Sequence, residues 1–383
     1  MAFGVLTRAC ERKANSYAID DPTSGPVDVY VDDAMAISLA ERAASEQKRY
    51  STDCEIAMGP KAMNYSKEVT PTTLLEILGW LVDLVLESFR PSDKAARKLT
   101  FAFVIVAGNH PMRLDVYQML ASLADRYSHG ILGMRPFVFP LHEMSRRFRG
   151  RKYLKIKPSS AAMMCIQMWK AVAVLALQRD PRLVVPMRSL LAGDPADPAS
   201  AEVLATTDAS PTGICVALYA PRTKQLLTWK GFIFPFEINE FQNAREYLGL
   251  LMALCLIDWF RISRKQPMSR VHWTNDNEAA LAWAADNKCN SLASQIAFYG
   301  VAWKQLSAQL VLVGVTHIPG VSIGNIDSVS RQLAHTLPLD LEFPMSDTQQ
   351  RVTKELLMLY DPTKPRDLEA HHVAFATVVR LVA

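Results

Sequence analysis

From residue 203 onward the chain sets down three strand-like runs in succession: 203–208, Gly213 to Ala220, and Gln225 to Phe234. Turn residues Pro211, Gly213 and Pro221 separate them. The pattern then changes to a helix around 241–260, a strand at 270–275, and helical stretches at 277–286 and 291–308. A fifth strand from Gln309 to Ile318 and a last helix over 325–336 complete it. Apolar alternation with turn residues between runs reads as strand, and longer 3.6-periodic stretches read as helix. Three consecutive strands followed by helix–strand–helix–strand–helix suit a mixed five-stranded sheet flanked by helices, an α/β arrangement. The stretch Ala192-Gly-Asp-Pro-Ala-Asp-Pro-Ala199 reads as a linker and sets a domain boundary near residue 200.

Four acidic residues occupy distinct places in that succession. Asp208 ends the first strand (Val203-Leu-Ala-Thr-Thr-Asp208), and Asp276 ends the fourth (Val271-His-Trp-Thr-Asn-Asp276). Glu246 falls in the first turns of the long helix, and Asp327 opens the final one. Carboxylates at strand ends and helix starts can converge although far apart in sequence. Such a cluster repels itself unless hard divalent cations bind it, and Mg²⁺ prefers oxygen ligands.

Residues 203–331 resemble the ribonuclease H domain carried by retroelement reverse transcriptases. The matching phrases are Thr207-Asp208-Ala-Ser with Gly213 following, the helix glutamate, Thr274-Asn-Asp276-Asn277, and Asn325-Ile-Asp327-Ser-Val-Ser-Arg331. The resemblance implies a sheet in which the first and fourth strands are neighbours, bringing Asp208 beside Asp276. It implies cleavage of RNA within an RNA–DNA hybrid by two Mg²⁺ ions (Mn²⁺ as the substitute). Asp208 would bridge them, Glu246 and Asp276 would complete one site, and Asp327 would help the other. Recognition would be of backbone shape and 2′-hydroxyls. Thr207, Ser210 and Asn277 are hydrogen-bonding neighbours on this reading, or simply finish turns. Glu237 and Glu240 compete with Glu246 for the helix position, and a solvent-facing Glu246 is the plain alternative. Leu250, Ala253 and Leu254 below Glu246 favour it. His317, inside the fifth strand before Pro319, reads as a packed or edge histidine rather than a proton shuttle.

The N-terminal segment Val27-Asp-Val-Tyr30-Val31-Asp32-Asp33-Ala-Met-Ala-Ile is similar to the Tyr-x-Asp-Asp hairpin of a reverse-transcriptase palm, with Asp32 and Asp33 as a vestigial metal pair. An ordinary hairpin tip is the alternative, since Asp tolerates turn geometry. Leu78-Gly79-Trp-Leu-Val-Asp83, Pro91-Ser-Asp-Lys94 and Lys98-Leu99 resemble a palm-to-thumb passage. Leu120 to His129 and Arg135-Pro136-Phe137 resemble the connection that precedes the nuclease, most like DIRS-type and LTR-like elements. The two-metal scheme needs another aspartate on an earlier strand. Asp20 and Asp21 lie in a turn-like stretch, so polymerase activity from this chain alone is not expected, and an upstream reverse-transcriptase segment is the implied partner. The expected domains are a partial palm (1–65), a mainly helical thumb and connection (66–195), the ribonuclease H-like domain (200–337) and a helical tail (338–383).

Composition narrows the alternatives. The 383 residues suit roughly two to three domains, and half are hydrophobic, enough for sizeable cores. The longest apolar helix candidate, Tyr247 to Phe260, is interrupted by Asp258, so no membrane span is expected. No secretory pattern opens the chain, which predicts a cytoplasmic or nuclear, not secreted, protein. Cys10, Cys54, Cys165, Cys215, Cys255 and Cys289 are scattered without a C-x-x-C pair, against a zinc site or disulfide framework.

Net charge is +4, mild by itself. Its distribution says more: Arg146, Arg147, Arg149, Arg151, Lys152, Lys155 and Lys157 crowd one short stretch, with Phe148 and Tyr153 interleaved. Such a stretch suits contact with a nucleic-acid backbone, or else a solvated segment between domains or an import signal. Arg90, Lys94, Arg97 and Lys98 form a second basic group where a thumb helix would face a duplex, or an ordinary exposed face. Helices are predicted within 26–60 (Ala40 to Tyr50, after a hairpin), at 72–89 and 92–106 with Arg90-Pro91 as breaker, at 112–127, at 138–149 and from Met163 to Leu177. Two other functions compete: a relic that only binds nucleic acid, and a related-fold integrase or transposase. The latter usually ends its acidic set with a helix glutamate rather than Asp327.

Overall fold

The computed structural model describes residues 27–30, 33–36, 41–58, 72–107, 111–157, 160–187, 197–237, 242–266, 268–286, 292–333, 337–359 and 377. The chain divides into two compact units, Met1–Leu75 and Glu76–Ala383, so the second holds both sides of residue 200. In the first unit β1 (Val27–Tyr30) and β2 (Asp33–Ala36) pair antiparallel with Tyr30 opposite Asp33. The hairpin expected there is formed; Asp32 lies outside the described residues, and Asp33 opens β2. Helix α1 (Ala43–Met58) follows, starting later and running further than the sequence pattern suggests.

Residues 72–89 are not the helix expected of them. They form β3 (Leu74–Ile77), β4 (Trp80–Asp83) and the start of β5 (Ser88–Pro91). A short apolar run satisfies either period, and turn chemistry decides between them. Gly79 adopts φ +90 beside Leu78 at φ 49, which breaks any helix. The Asp83 carboxylate then accepts the Val85 and Leu86 amides (3.0 and 2.9 Å), closing the second turn.

Helix α2 (Asp93–Thr100) begins at Ser92, whose hydroxyl accepts the Ala95 amide and donates to Glu76 (2.7 Å). It continues as a π-helical stretch over Phe101–Val106. Next come β6 (Met112–Arg113), α3 (Leu114–Ser128), α4 (Phe139–Arg147), β7 (Tyr153–Leu154), α5 (Ala161–Leu177) and β8 (Val185–Pro186). As the sequence suggests, α5 is core. Trp169 is fully buried, stacks on Phe103 at 5.7 Å and donates its indole N–H to the Phe137 carbonyl.

The C-terminal sheet comprises β9 (Val203–Ala209), β10 (Gly213–Tyr219), β11 (Leu226–Ile233), β12 (Arg270–Asn275) and β13 (Val311–His317). Their order is β11-β10-β9-β12-β13, antiparallel among the first three and parallel from β9 through β12 to β13. This is the mixed five-stranded, ribonuclease H-like arrangement, with first and fourth strands adjacent. Helices α6 (Gln242–Arg264), α7 (Glu278–Asp286) and α8 (Leu292–Ala308) supply the crossovers. Nearly every residue of α6 from Ala244 to Phe260 is buried, because the helix has neighbours on all sides. Inside that packing Asp258 accepts from Lys304 (2.6 Å) and Arg261 (2.9 Å).

The opposite face of the sheet carries a second, smaller core of Cys215, Ala217, Trp229, Ile323, Ile326, Val329 and Leu337. Helix α9 (Gly324–Ser330) belongs to it and is shorter than the 325–336 expected, since Arg331 to Leu333 form a turn. The segment after it runs along β11. Trp229 Nε1 donates to the Pro338 carbonyl (2.7 Å), Thr228 Oγ1 to Leu341 (2.8 Å), and the Phe343 amide to Trp229 (2.9 Å). Helix α10 (Asp347–Met358) then buries Leu356 and Leu357 in the main core. The tail thus shields an otherwise unpaired strand edge. Among the described residues no helix is long and apolar enough to cross a membrane.

Candidate metal centre

Parallel pairing of β9 with β12 puts Thr206 beside Thr274. Two residues further on, the same register brings Asp208 and Asp276 side by side at the carboxyl ends of the two strands. Glu246 reaches them from the second turn of α6. One ligand oxygen from each of Asp208, Glu246 and Asp276 lies within 4.8 Å of the others, the one such group among the described residues. Of the glutamates competing for the helix position, Glu246 is the one in the group; Glu237 is exposed and Glu240 lies outside the described residues.

Asp208 and Glu246 are almost fully buried, at 5 % and 1 % exposure, and among the described residues only neutral groups bond their side chains. Glu246 accepts from Gln242 Nε2 (2.6 Å) and Asn275 Nδ2 (3.0 Å), and Asp208 accepts from the Ser330 hydroxyl (2.5 Å). Among the described residues none of the three carboxylates forms an ion pair. Burial is the main influence on the protons of Asp208 and Glu246. It pushes the Asp208 carboxyl up to about 6 against the Ser330 hydrogen bond, with the Asp327 and Asp276 charges adding to it. Burial likewise pushes Glu246 up to about 8 against the Asn275 bond, with Asp208 and Asp276 again adding. Three converging oxygen donors with no ion-pair partner among the described residues are the donor set a hard divalent cation requires. The residues present fit such an ion.

Asp327 stands outside that tight group. Its carboxylate accepts from Arg331 Nε at 2.6 Å, one helical turn away, while its charge still acts on Asp208. Helix α9 is anchored to the site through its last residue: the Ser330 carbonyl accepts from Ser210 Oγ (2.6 Å) and Thr212 Oγ1 (3.2 Å). Thr207, fully buried, accepts from Trp273 Nε1 (2.9 Å) and Asn275 Nδ2 (3.1 Å), so it holds the amide that holds Glu246. Asn277 donates to Asn243 Oδ1 (2.9 Å) and caps α7 through the Ala280 amide. His317 is exposed at the end of β13, with Nε2 donating to the Asp276 carbonyl (3.1 Å), an edge histidine as expected.

Sequence reasoning missed Gln242, Asn275 and Ser330. Gln242 precedes Glu246 by four residues, so helical spacing alone could have found it. Ser330 lies within the matched Asp327-to-Arg331 phrase. Asn275 touches Glu246 only because sheet and helix stack, which no local pattern encodes.

In the basic stretch, Arg146 and Arg147 both pair with Glu143 (2.8 and 3.0 Å). Arg149, Arg151 and Lys152 are exposed, with Arg151 over the Phe148 ring and Lys152 over Tyr153.

No protein-family model and no curated protein sequence matches the chain. Among solved structures it is similar to the foamy viral protease-reverse transcriptase in complex with RNA/DNA hybrid, at 12% identity and TM-score 0.37, over 88% of this chain and 38% of that one. It is similar to LC11-RNase H1 in complex with RNA/DNA hybrid at 18% identity and TM-score 0.30, over 34% of this chain and 95% of that one. For RNase H1 from the halophilic archaeon Halobacterium salinarum the figures are 15%, 0.28, 34% and 95%. The chain thus spans about two fifths of the foamy viral protein. The strand order and the carboxylate geometry, rather than these likenesses, bear on what the molecule does.

Proposed function

We propose that the chain is a divalent-metal-dependent nuclease that cuts the RNA strand of an RNA–DNA hybrid, and that it corresponds to the C-terminal part of a retroelement reverse transcriptase. The observation that supports this most directly is the meeting of Asp208, Glu246 and Asp276 at one end of a mixed sheet, two of them at the carboxyl ends of its parallel central pair. These three would hold the ion, Mg²⁺ or in its place Mn²⁺, with Asp327 serving a second. When bound, such ions supply water activation at neutral pH and charge stabilisation for in-line displacement at a phosphodiester.

The chain's own residues do the positioning. Gln242 and Asn275 fix both oxygens of Glu246, and Ser330 fixes one of Asp208. Because burial favours the protonated carboxyls, the site sheds protons as it takes up an ion, and uptake strengthens as pH rises. Arg331 offsets the charge of Asp327 at the rim. The exposed cations Arg149, Arg151 and Lys152 would neutralise backbone phosphates, whereas Arg146 and Arg147 share theirs with Glu143.

An end-labelled RNA–DNA hybrid incubated with the chain and Mg²⁺ tests the reading, with Asp208→Asn and a chelator as controls. Cutting of the RNA strand that both controls abolish supports it. Cutting of duplex DNA instead would favour an integrase-like enzyme, and hybrid binding without cutting would leave a nucleic-acid-binding relic.

A further inference from the structure

Asp276 is the one carboxylate of the three whose side chain has no hydrogen bond to a described residue. Beside it stands the turn after β13. The Ile318 amide donates to the Asn275 carbonyl (3.1 Å), and His317 Nε2 donates to that of Asp276 (3.1 Å). The Ser322 amide closes on Pro319 (2.8 Å), starting a 3₁₀ turn over Gly320–Ile323. This brings Gly320 against the carboxylate itself. A Cβ at Gly320 would sit 2.9 Å from Asp276 Oδ2 and 3.9 Å from its Cγ, and, its chain neighbours aside, would meet no other described residue within 4 Å.

Gly320 is not in the left-handed region of backbone space, so alanine could adopt its conformation. The restriction is one of room alone. Asp276 is only half-buried, and its carboxylate can relieve the contact by swinging toward solvent, away from Asp208 and Glu246. We propose that Gly320 is a positioning residue: its missing side chain is what lets Asp276 take its place among the three metal-binding carboxylates. The proposal rests on the metal-dependent reading above. It separates two consequences that usually travel together, because an added methyl would disturb the ligand set and leave the fold intact.

Gly324, four residues on, provides the matched control, since, its own chain neighbours and helix backbone aside, no described residue lies within 4 Å of a Cβ added there. The full-length wild type, Gly320→Ala and Gly324→Ala would each be titrated with Mn²⁺ by calorimetry and unfolded thermally in chelator. Loss of a group that orients a metal ligand weakens binding by about 10- to 100-fold. Gly320→Ala should lose at least about tenfold in Mn²⁺ affinity with an unchanged melting temperature in chelator, while Gly324→Ala binds as the wild type does. A crystal structure of metal-free Gly320→Ala should show the Asp276 carboxylate rotated away from Asp208. A carboxylate left in place, or Mn²⁺ affinity equal to wild type, overturns the positioning role. Wild-type protein that binds no Mn²⁺ would overturn the metal-dependent reading, and a rotated carboxylate in the variant would then show only that Gly320 leaves room for Asp276 beside Asp208.

Discussion

Replacing Glu246 by Gln should make the metal-free protein more stable at neutral pH and less responsive to metal. Burial raises the folded-state pKa of Glu246 from its ordinary 4.5 to about 8. Below pH 4.5 the carboxyl is protonated in both states and the shift has no effect. Between 4.5 and 8 the folded state holds a proton that the unfolded state has released, so stability falls as pH rises, by about 1.4 kcal/mol per unit. At pH 7 the accumulated loss is about 3 kcal/mol. A glutamine never carries that charge. It does set its own amide against the Gln242 amide, forfeiting one hydrogen bond worth about 1 kcal/mol. The net expectation is Glu246→Gln more stable than wild type by about 2 kcal/mol at pH 7 in chelator, with the advantage gone near pH 4.5. Urea unfolding at pH 4.5, 6, 7 and 8.5 measures it. Adding Mg²⁺ should stabilise the wild type by mass action and the variant much less. Equal pH dependence of the two proteins, or a variant less stable at pH 7 in chelator, would refute the picture of a buried, uncompensated carboxylate.

Three further outcomes depend on particular side chains. Lys304→Met strips Asp258 of one of its two cations inside the α6–α8 packing and should cost about 3 kcal/mol in chemical denaturation, while Mn²⁺ binding persists. Trp229→Phe removes the indole N–H that holds the Pro338 carbonyl over β11; about 1–3 kcal/mol of stability should go, and light scattering should show association through the loosened edge. Replacing Arg149, Arg151 and Lys152 together by Ala should flatten the salt dependence of hybrid binding, by up to about 0.7–0.9 in log–log slope for each phosphate no longer neutralised, without altering metal affinity.

The helical half of the second unit is more than an attachment to the five-stranded sheet. One continuous apolar core runs from Ala95 to Leu357. Across the linker position Phe137 stacks on Tyr299 at 5.0 Å, and Gln309 Nε2 donates to the carbonyls of Pro181 (3.1 Å) and Val184 (2.5 Å). Most of the Pro- and Asp-containing stretch before residue 200 lies outside the described residues, and its composition marks only a break between elements. It carries no information about whether they then pack together.

Much of the C-terminal architecture is legible because its signals are local and redundant. Short apolar runs at Val203–Asp208 and Gly213–Ala220, turn residues between them, and a long apolar helix after them each point to the same sheet, and carboxylates at strand ends stand out against that background. Residues 72–89 mislead because Leu-, Trp- and Val-rich runs suit either period, and two turns, at Gly79 and Asp83, outweigh propensity. Asp208, Glu246, Asp276 and Asp327 can be named from the chain itself, since residue type and position within an element are properties of sequence. Which of them meet cannot. Parallel register between β9 and β12 joins Asp208 to Asp276, the stacking of α6 on the sheet adds Glu246, and Asp327 stays outside the tight group, bonded to Arg331. The same is true of Asn275, Ser330 and the bare Cα of Gly320, whose parts in the site depend on separations of a few ångströms across the fold. A distance between remote residues is set only when the whole core closes, and that is the information the tertiary structure adds.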